Sequence, residues 1–320
     1  MNNKNVQVSI LMPTYNHEKY ISKAIESALA QKTTFSFELL INDDCSTDGT
    51  AKIAQDYANK YPHIIQYFHQ EQNLGLLKNY KFLFEKARGK YIAILESDDL
   101  WNDIHNLEKK ISFLEQNEDT GLIASETKII DENENIIRIS SSDIHQSDNW
   151  YESMLYENPL KAVSVIFRRD LYDKYCNIND YINNGFLTID YPIWLSIAAH
   201  SKCKYINEPL CSYRQIASSI SNSSNYNKQK NFADSTKKIQ KYIINLYPPS
   251  LSFNYKKQNN IININYMELA LRHHKFIDYY KYAKRIKIKF IERKKERKKE
   301  IFIHYFTLLF YIQHIIRVKE

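Results

Sequence analysis

Three acidic spots in this chain of 320 residues carry side chains able to do chemistry. The first is Glu96-Ser97-Asp98-Asp99, directly after an apolar run. Carboxylates crowded at a strand end repel one another and are costly unless a cation sits among them. Their hard oxygens suit Mg²⁺ or Mn²⁺. Such an ion can bridge two phosphates of a nucleotide and neutralise a departing diphosphate. The same four residues equally suit a solvated acidic turn or a helix cap. The second spot is Asp43-Asp44. An ionised carboxylate only accepts hydrogen bonds, so one of this pair can receive the imide N–H of uracil or thymine. An ordinary Asx-turn is the competing account. The third is Asp190, in Thr188-Ile189-Asp190-Tyr191-Pro192 at the head of an apolar helical pattern. Thr188 or Asp190 can simply cap that helix. As a chemical group, Asp190 is a candidate general base for the proton of an acceptor hydroxyl.

The elements around these spots alternate. Val6 to Met12 is apolar and β-branched and predicts a strand ended by Pro13. Helical spacing of Ile21, Ala24, Ile25, Ala28 and Leu29 predicts a helix over His17 to Gln31. Strand patterns follow at Phe35 to Ile41, Ile64 to Phe68 and Tyr91 to Leu95, with helices over Thr47 to Lys60 and Leu74 to Ala87. Such alternation implies parallel βαβ units, and in those sheets ligands bind beyond the carboxyl ends of the strands. Pro13-Thr14-Tyr15-Asn16, Asp43-Asp44 and Glu96-Ser97-Asp98-Asp99 all follow strands at that edge, so three polar clusters should share one crevice. Further on, a helix over Ile104 to Gln116 precedes an extended Leu122 to Ile130, with Asn133 to Ile139 as its hairpin partner. Ala162 to Phe167 predicts a strand, Ile189 to Ala199 a helix, and Tyr205 and Leu210 to Arg214 short extended pieces. After a Ser- and Asn-rich linker at Ser218 to Asn227, Asn231 to Leu246 and Met267 to Arg285 read as helices.

Composition bounds the class. Hydrophobic residues are 43% and charged residues 25%, as in an ordinary globular protein. The four cysteines form no CxxC pair, so neither a structural zinc site nor a disulfide framework is indicated. Met1 to Val6 lacks the apolar core of a signal peptide, and no window reaches the ~20 apolar residues of a membrane span. The net charge of +7 comes from a basic run between Lys284 and Lys299. The apolar stretch Ile301 to Ile316 follows it, and the pair suits an amphipathic helix on an anionic membrane surface. A helix packed on the body or on a second subunit is the alternative. No base-reading module accompanies the lysines, so no nucleic-acid partner is expected. There is no G-x-G-x-x-G for a dehydrogenase and no Gly-rich N-terminal phosphate loop for a nucleotidyltransferase.

Several ordered segments resemble the family 2 glycosyltransferases of GT-A fold. Val8-Ser9-Ile10-Leu11-Met12-Pro13-Thr14-Tyr15-Asn16 resembles their opening strand and Pro-x-Tyr-Asn turn. Phe37 to Thr50 resembles the strand and Asp-Asp-Gly-Ser-Thr-Asp-Gly-Thr signature, and Asn73-Leu74-Gly75 with Lys78-Asn79 the Asn-x-Gly segment. Gly89 through Trp101 resembles the strand carrying the Asp-x-Asp metal motif, in a subgroup with Glu-x-Asp-Asp-x-Trp. Ser164 to Arg168 and Tyr213-Arg214 resemble later landmarks.

The resemblance implies an α/β GT-A domain: a mixed, mainly parallel sheet flanked by helices. It is expected over 1–220, with a nucleotide-binding half at 1–117 and an acceptor half at 118–220, and a helical C-terminal region at 221–320. It implies an inverting transfer from a nucleotide diphosphate sugar, commonly a UDP-sugar, with a divalent metal (Mn²⁺ or Mg²⁺), to a saccharide or lipid-linked saccharide acceptor. The expected setting is cytoplasmic, with the tail either peripheral on the inner membrane face or packed on the body or a second subunit. By position, Asp44 would contact the nucleobase beside Asp43. Pro13, Thr14, Tyr15 and Glu38 would line or support the nucleotide pocket, with Lys78 near base or phosphate and Ser97 beside it. Asp98 would bind metal, Glu96 would reach ribose or a metal-bound water, and Asp190 would be the base. Trp101, Tyr213 and Arg214 are candidates for diphosphate or acceptor contacts. Cys45 stands where relatives carry Gly, which predicts a turn without a positive φ. The Gln-x-x-Arg-Trp motif of processive relatives is absent, which favours transfer of a single sugar. A non-catalytic sugar-nucleotide binder on the same fold is the alternative.

Overall fold

The computed structural model describes residues 6–216 and 223–286. The chain divides into two compact units, Met1–Phe253 and Asn254–Glu320. The first begins with strict alternation: β1 (Val8–Thr14), α1 (Ile21–Leu29), β2 (Phe37–Asp43), α2 (Thr50–Lys60), β3 (Ile65–His69), α3 (Leu76–Lys86) and β4 (Tyr91–Ile94). Then come β5 (Leu100–Trp101), α4 (Asn106–Gln116), β6 (Thr120–Ile130), β7 (Ile136–Ser140) and α5 (Trp150–Tyr156). β8 (Ile166–Arg168), α6 (Arg169–Tyr175), α7 (Ile178–Asn183), α8 (Asp190–Ala198), β9 (Lys202–Arg214) and α9 (Tyr226–Leu246) complete it. The second unit holds α10 (Tyr255–Arg272) and α11 (Phe276–Ala283), where Tyr266 and Tyr282 stack at 4.8 Å.

The strands form one mixed sheet in the order β3-β2-β1-β4-β8-β6-β9-β5, with β7 paired to β6. β1 to β4 are parallel; β8 runs antiparallel between β4 and β6. Alternation along the strands feeds two cores. Leu11, Leu40 and Ile94 face the layer of α3, α5, α8 and α9, with Trp194 fully buried. Ile10, Met12, Leu39 and Ile41 face the layer of α1, α2 and α4. β1 lies between β2 and β4, so the chain leaves it in opposite directions across the sheet. The crevice beyond its carboxyl end is where such a sheet opens to a ligand. Gly89 permits the approach behind it: a Cβ there would stand 2.4 Å from the Ser9 backbone nitrogen.

Four expectations change. β1 continues through Pro13, paired with Asn42, because proline's fixed φ fits extended backbone and costs only a donor. Tyr205 and Leu210–Arg214 belong to one long strand, whose register against β6 shifts near Pro209. Of the 162–167 segment only Ile166 and Phe167 are strand, in a β8 that runs on to Arg168 after a 3₁₀ turn at Ala162–Ser164. The helix expected over Met267–Arg285 is two helices, separated at His274 with φ 54°. The first unit also extends past residue 220. Ile239 and Ile243 of α9 are fully buried, and Gln240 donates to the Leu155 carbonyl at 3.0 Å and to the Tyr191 hydroxyl at 3.1 Å. A polar linker breaks the sequence pattern without ending the core. The basic run from Lys287 on and the apolar stretch after it lie outside the described residues. Among the described residues no helix is long and apolar enough to cross a membrane.

Arg168 locks β8 to α4. Its guanidinium donates to the carbonyls of Leu114, Thr120 and Asn117 and to the Tyr91 hydroxyl. Replacing it leaves buried acceptors unpaired, at about 1–3 kcal/mol each for the worst placed. Arg168→Met is therefore expected to lower unfolding stability by roughly 3 kcal/mol, read as a drop in the urea midpoint at unchanged slope.

Candidate active site

The register sets the site. Thr14 pairs with Asp43, and Leu11 with Ile94, so β1, β2 and β4 end at one edge. Buried Ser97 links two of those ends. Its hydroxyl lies 2.8 Å from Thr14 Oγ1, 3.3 Å from the Pro13 carbonyl and 2.7 Å from His17 Nδ1. Carboxylate oxygens of Glu96, Asp98 and Asp99 lie within 4.8 Å of one another. Asp99 is 1% exposed; its Oδ1 accepts the Arg214 amide at 2.8 Å, while its Oδ2 has no protein partner. Burial and the charges of Asp98 and Glu96 raise its pKa well above the carboxylate range. Glu96 is pushed up to about 8 by burial and then by Asp98 and Asp190, against the Tyr80 hydroxyl that donates to it at 2.9 Å. An orphaned buried oxygen among mutually repelling hard ligands fits a divalent cation.

Asp190 opens α8, where the helix dipole favours an anion. Thr188 donates to its carboxylate. Its pKa is raised by burial, against Thr188, the Tyr191 amide and the Lys161 ammonium. Its charge acts on Glu96 and on Tyr80, so the third acidic spot joins the first. Asp43 and Asp44 stand at the same edge, but both are engaged. Asp43 receives Ser46, Tyr67 at 3.2 Å and His69 at 3.1 Å. Asp44 receives the amides of Leu74 at 2.7 Å and Gly75 at 2.9 Å and so anchors the start of α3. Gly75 has φ 82°, a conformation open to glycine without strain.

The structure corrects several expectations. Glu38 pairs with Ser9 at the opposite end of β2. It receives Ser9 at 2.6 Å, Gln66 at 3.0 Å and the Arg88 guanidinium, so it supports the sheet and is remote from the crevice. Trp101 is buried in the core with its indole N–H on the Val163 carbonyl at 3.0 Å, so that N–H is already used within the protein. Arg214 is 1% exposed. It donates to the Asp98 carbonyl at 2.8 Å and to the Asp131 and Glu132 carbonyls, so it braces the acidic turn from behind. Ser97 likewise turns inward as a staple between strand ends. Cys45 does take a positive φ, 63°, because the turn folds Ser46 back onto Asp43. Tyr15 and Lys78 are exposed, and Tyr213 lies under Lys161, ring to ammonium 5.2 Å. Sequence reasoning did not single out Tyr80 or Lys161. Tyr80 looks like any core aromatic of α3, and no local pattern marks a lysine whose importance is its distance from Asp190.

The mixed sheet and its flanking helices have the GT-A fold. The sequence profile described as Glycosyl transferase family 2 matches residues 9–176, more than half of the chain, and the chain belongs to that family. It is 30% identical over 222 residues to the putative teichuronic acid biosynthesis glycosyltransferase TuaG of Bacillus subtilis, covering 69% of this chain and 84% of that one. An uncharacterized protein of Mycobacterium tuberculosis is 29% identical over 224 residues, 70% of this chain; the chain spans 63% of that relative's length. Among solved structures, Staphylococcus aureus TarS 1-349 in complex with UDP-GlcNAc superposes with TM-score 0.58 at 19% identity, over 85% of this chain and 73% of that one. The mannosyltransferase PcManGT of Pyrobaculum calidifontis, in complex with GDP-Man and Mn²⁺, gives 0.54 at 15% identity, over 88% and 74%.

The raised Glu96 value sets a pH signature. Unfolded, a glutamate titrates near ~4.3. Between that and about 8, the folded protein holds a proton that the unfolded chain lacks, so stability rises as pH falls through this window. The melting midpoint of the metal-free protein should climb from about pH 8.5 to about pH 6. In Glu96→Gln that part of the climb should be missing, as measured by differential scanning fluorimetry.

Proposed function

We propose that the chain is an inverting glycosyltransferase that moves one sugar from a nucleotide diphosphate sugar to an acceptor hydroxyl. The observation that carries this reading is the convergence of Glu96, Asp98, Asp99 and Asp190 at the switch point of the sheet. A strand-end loop and a helix start far apart in the chain meet there, as a bound substrate requires.

The donor lies along the strand ends. Asp44 has one lone pair left on each oxygen, enough to receive the imide N–H of uracil. Pro13, Thr14 and exposed Tyr15 border the nucleotide, Asp43 shapes the turn beneath it, and Lys78 supplies a nearby cation. The comparison with a UDP-GlcNAc complex supports a UDP-sugar. Asp98 and its neighbours Glu96 and Asp99 would hold Mg²⁺ or Mn²⁺; when bound, that ion neutralises charge on the departing diphosphate. Tyr80 keeps Glu96 oriented through its hydroxyl. Asp190 takes the proton from the acceptor hydroxyl, which then attacks the anomeric carbon from the face opposite the diphosphate. Its raised pKa suits a base that must hold that proton. The likeness to a teichuronic acid glycosyltransferase supports a saccharide or lipid-linked acceptor in surface polysaccharide synthesis.

A panel of nucleotide sugars with Mn²⁺ tests the reading through release of free nucleotide diphosphate. Asp190→Asn should cut turnover by about 10²–10⁴-fold while donor binding, followed by thermal shift, survives. Asp98→Asn should lose the response to metal. Equal turnover in Asp190→Asn would sink the assignment of the base, and absence of any donor-dependent stabilisation would favour a non-catalytic role.

A further inference from the structure

Asp190 marks where an acceptor hydroxyl must stand. Lys161 stands near it and Arg138 stands near Lys161, and the donor site uses neither cation. Lys161 precedes the 3₁₀ turn Ala162–Ser164 and is half-buried, with its ammonium over the Tyr213 ring at 5.2 Å. Among the carboxylates around it, Asp190 acts on it most strongly and Asp99 next. Arg138 lies on β7, directly opposite Ile129 of β6, and Ile129 lies opposite Tyr213 of β9. Residues opposite one another on neighbouring strands project to the same face. Arg138 and Tyr213 therefore share a face, two strands or about 10 Å apart. Lys161 stands above Tyr213, and Arg138 is the strongest charge acting on it.

This arrangement is unfavourable as it stands. Among the described residues, neither cation's head group has an ion-pair or hydrogen-bond partner. Burial penalises the Lys161 charge and Arg138 repels it; the Asp190 and Asp99 charges offset this only in part. Like charges held together without a counter-ion favour the arrival of one. Arg214, the other buried cation of the site, is bonded to its surroundings on every nitrogen that would reach a ligand. Lys161, with Arg138 acting on it, thus brings unmatched positive charge to the Asp190 side of the crevice.

We propose that Lys161 and Arg138 form an anion subsite on the acceptor side of Asp190, so that the acceptor carries a phosphate or carboxylate close to the hydroxyl that is attacked. The inference rests on the glycosyl-transfer reading, because that reading makes Asp190 the mark of the acceptor position. The same charges give the subsite a specificity role: a neutral saccharide leaves both cations without a partner, whereas a phosphate oxygen can be shared between them.

The test is calorimetric titration of the full chain saturated with UDP and Mn²⁺. The probes share one scaffold: methyl glucoside, methyl glucuronoside and methyl glucoside 6-phosphate. The wild-type protein should bind at least one anionic probe about tenfold tighter than the neutral one, with the preference narrowing as salt is added. Which anion is preferred identifies the acceptor's group. Lys161→Met with Arg138→Gln should bind all three probes alike, and Lys161→Arg should keep the preference. A wild-type protein that binds the anions no tighter than methyl glucoside overturns the subsite, as does a double variant that keeps the preference. A double variant that instead loses UDP places the cations on the leaving group and overturns it as well. Failure of the wild-type protein to take up UDP with Mn²⁺ is a different result: it removes the glycosyl-transfer reading itself.

Discussion

Four carboxylates, Glu96, Asp98, Asp99 and Asp190, are held in one crevice where each raises the cost of ionising another. The protein does not neutralise them. It holds them from behind, by Arg214 on the Asp98 carbonyl, by the Arg214 amide on Asp99 and by Tyr80 on Glu96. These contacts fix geometry while Glu96 and Asp99 keep raised pKa values, so a cation must displace their protons. A turn of this kind is a poor contributor to stability and a good receptor for cations, which is the usual trade between folding and function. The Asp99 oxygen left without a partner is the local sign of that trade.

The sheet makes such crowding affordable. β1, β2 and β4 form a buried parallel platform, and both faces are covered by helices. The strain is confined to the loops beyond it. Ser97 ties the acidic turn to the end of β1, Asp44 ties the end of β2 to the start of α3, and Gly75 supplies the backbone bend that lets its amide reach Asp44. Cys45 takes a left-handed conformation in the same region, where a side chain costs about 1 kcal/mol or more. Rigid strands and constrained loops together set the side chains to within the tolerance that chemistry needs.

The two sides of the crevice differ in how they are built. Under the proposed transfer, the donor side comes from the alternating first hundred residues, where backbone amides and short polar loops do the positioning. Under the same proposal, the acceptor side comes from the start of α8, the loop before Ala162–Ser164, the antiparallel β6–β7 pair and the parallel β6–β9 pair. The family profile matches residues 9–176, and relatives align over 222–224 residues, so the likeness runs beyond the profile's end.

The sequence by itself determined the alternating elements, the parallel platform and the three acidic spots, because each rests on local information: period-two and period-3.6 patterns, turn residues and runs of carboxylates. The family assignment came from the same ordered segments. Only the tertiary structure decided what each side chain does. It sent Glu38 to Arg88 at the far end of β2, turned the Trp101 indole onto Val163, made Arg214 a brace, and folded α9 onto the first unit past the polar linker. It also brought Tyr80 to Glu96 and set Lys161 beside Asp190. Those roles depend on distances between residues far apart in the chain, and on which way a strand's alternation points a side chain at its end. A one-residue shift reverses that direction, and no local pattern records it.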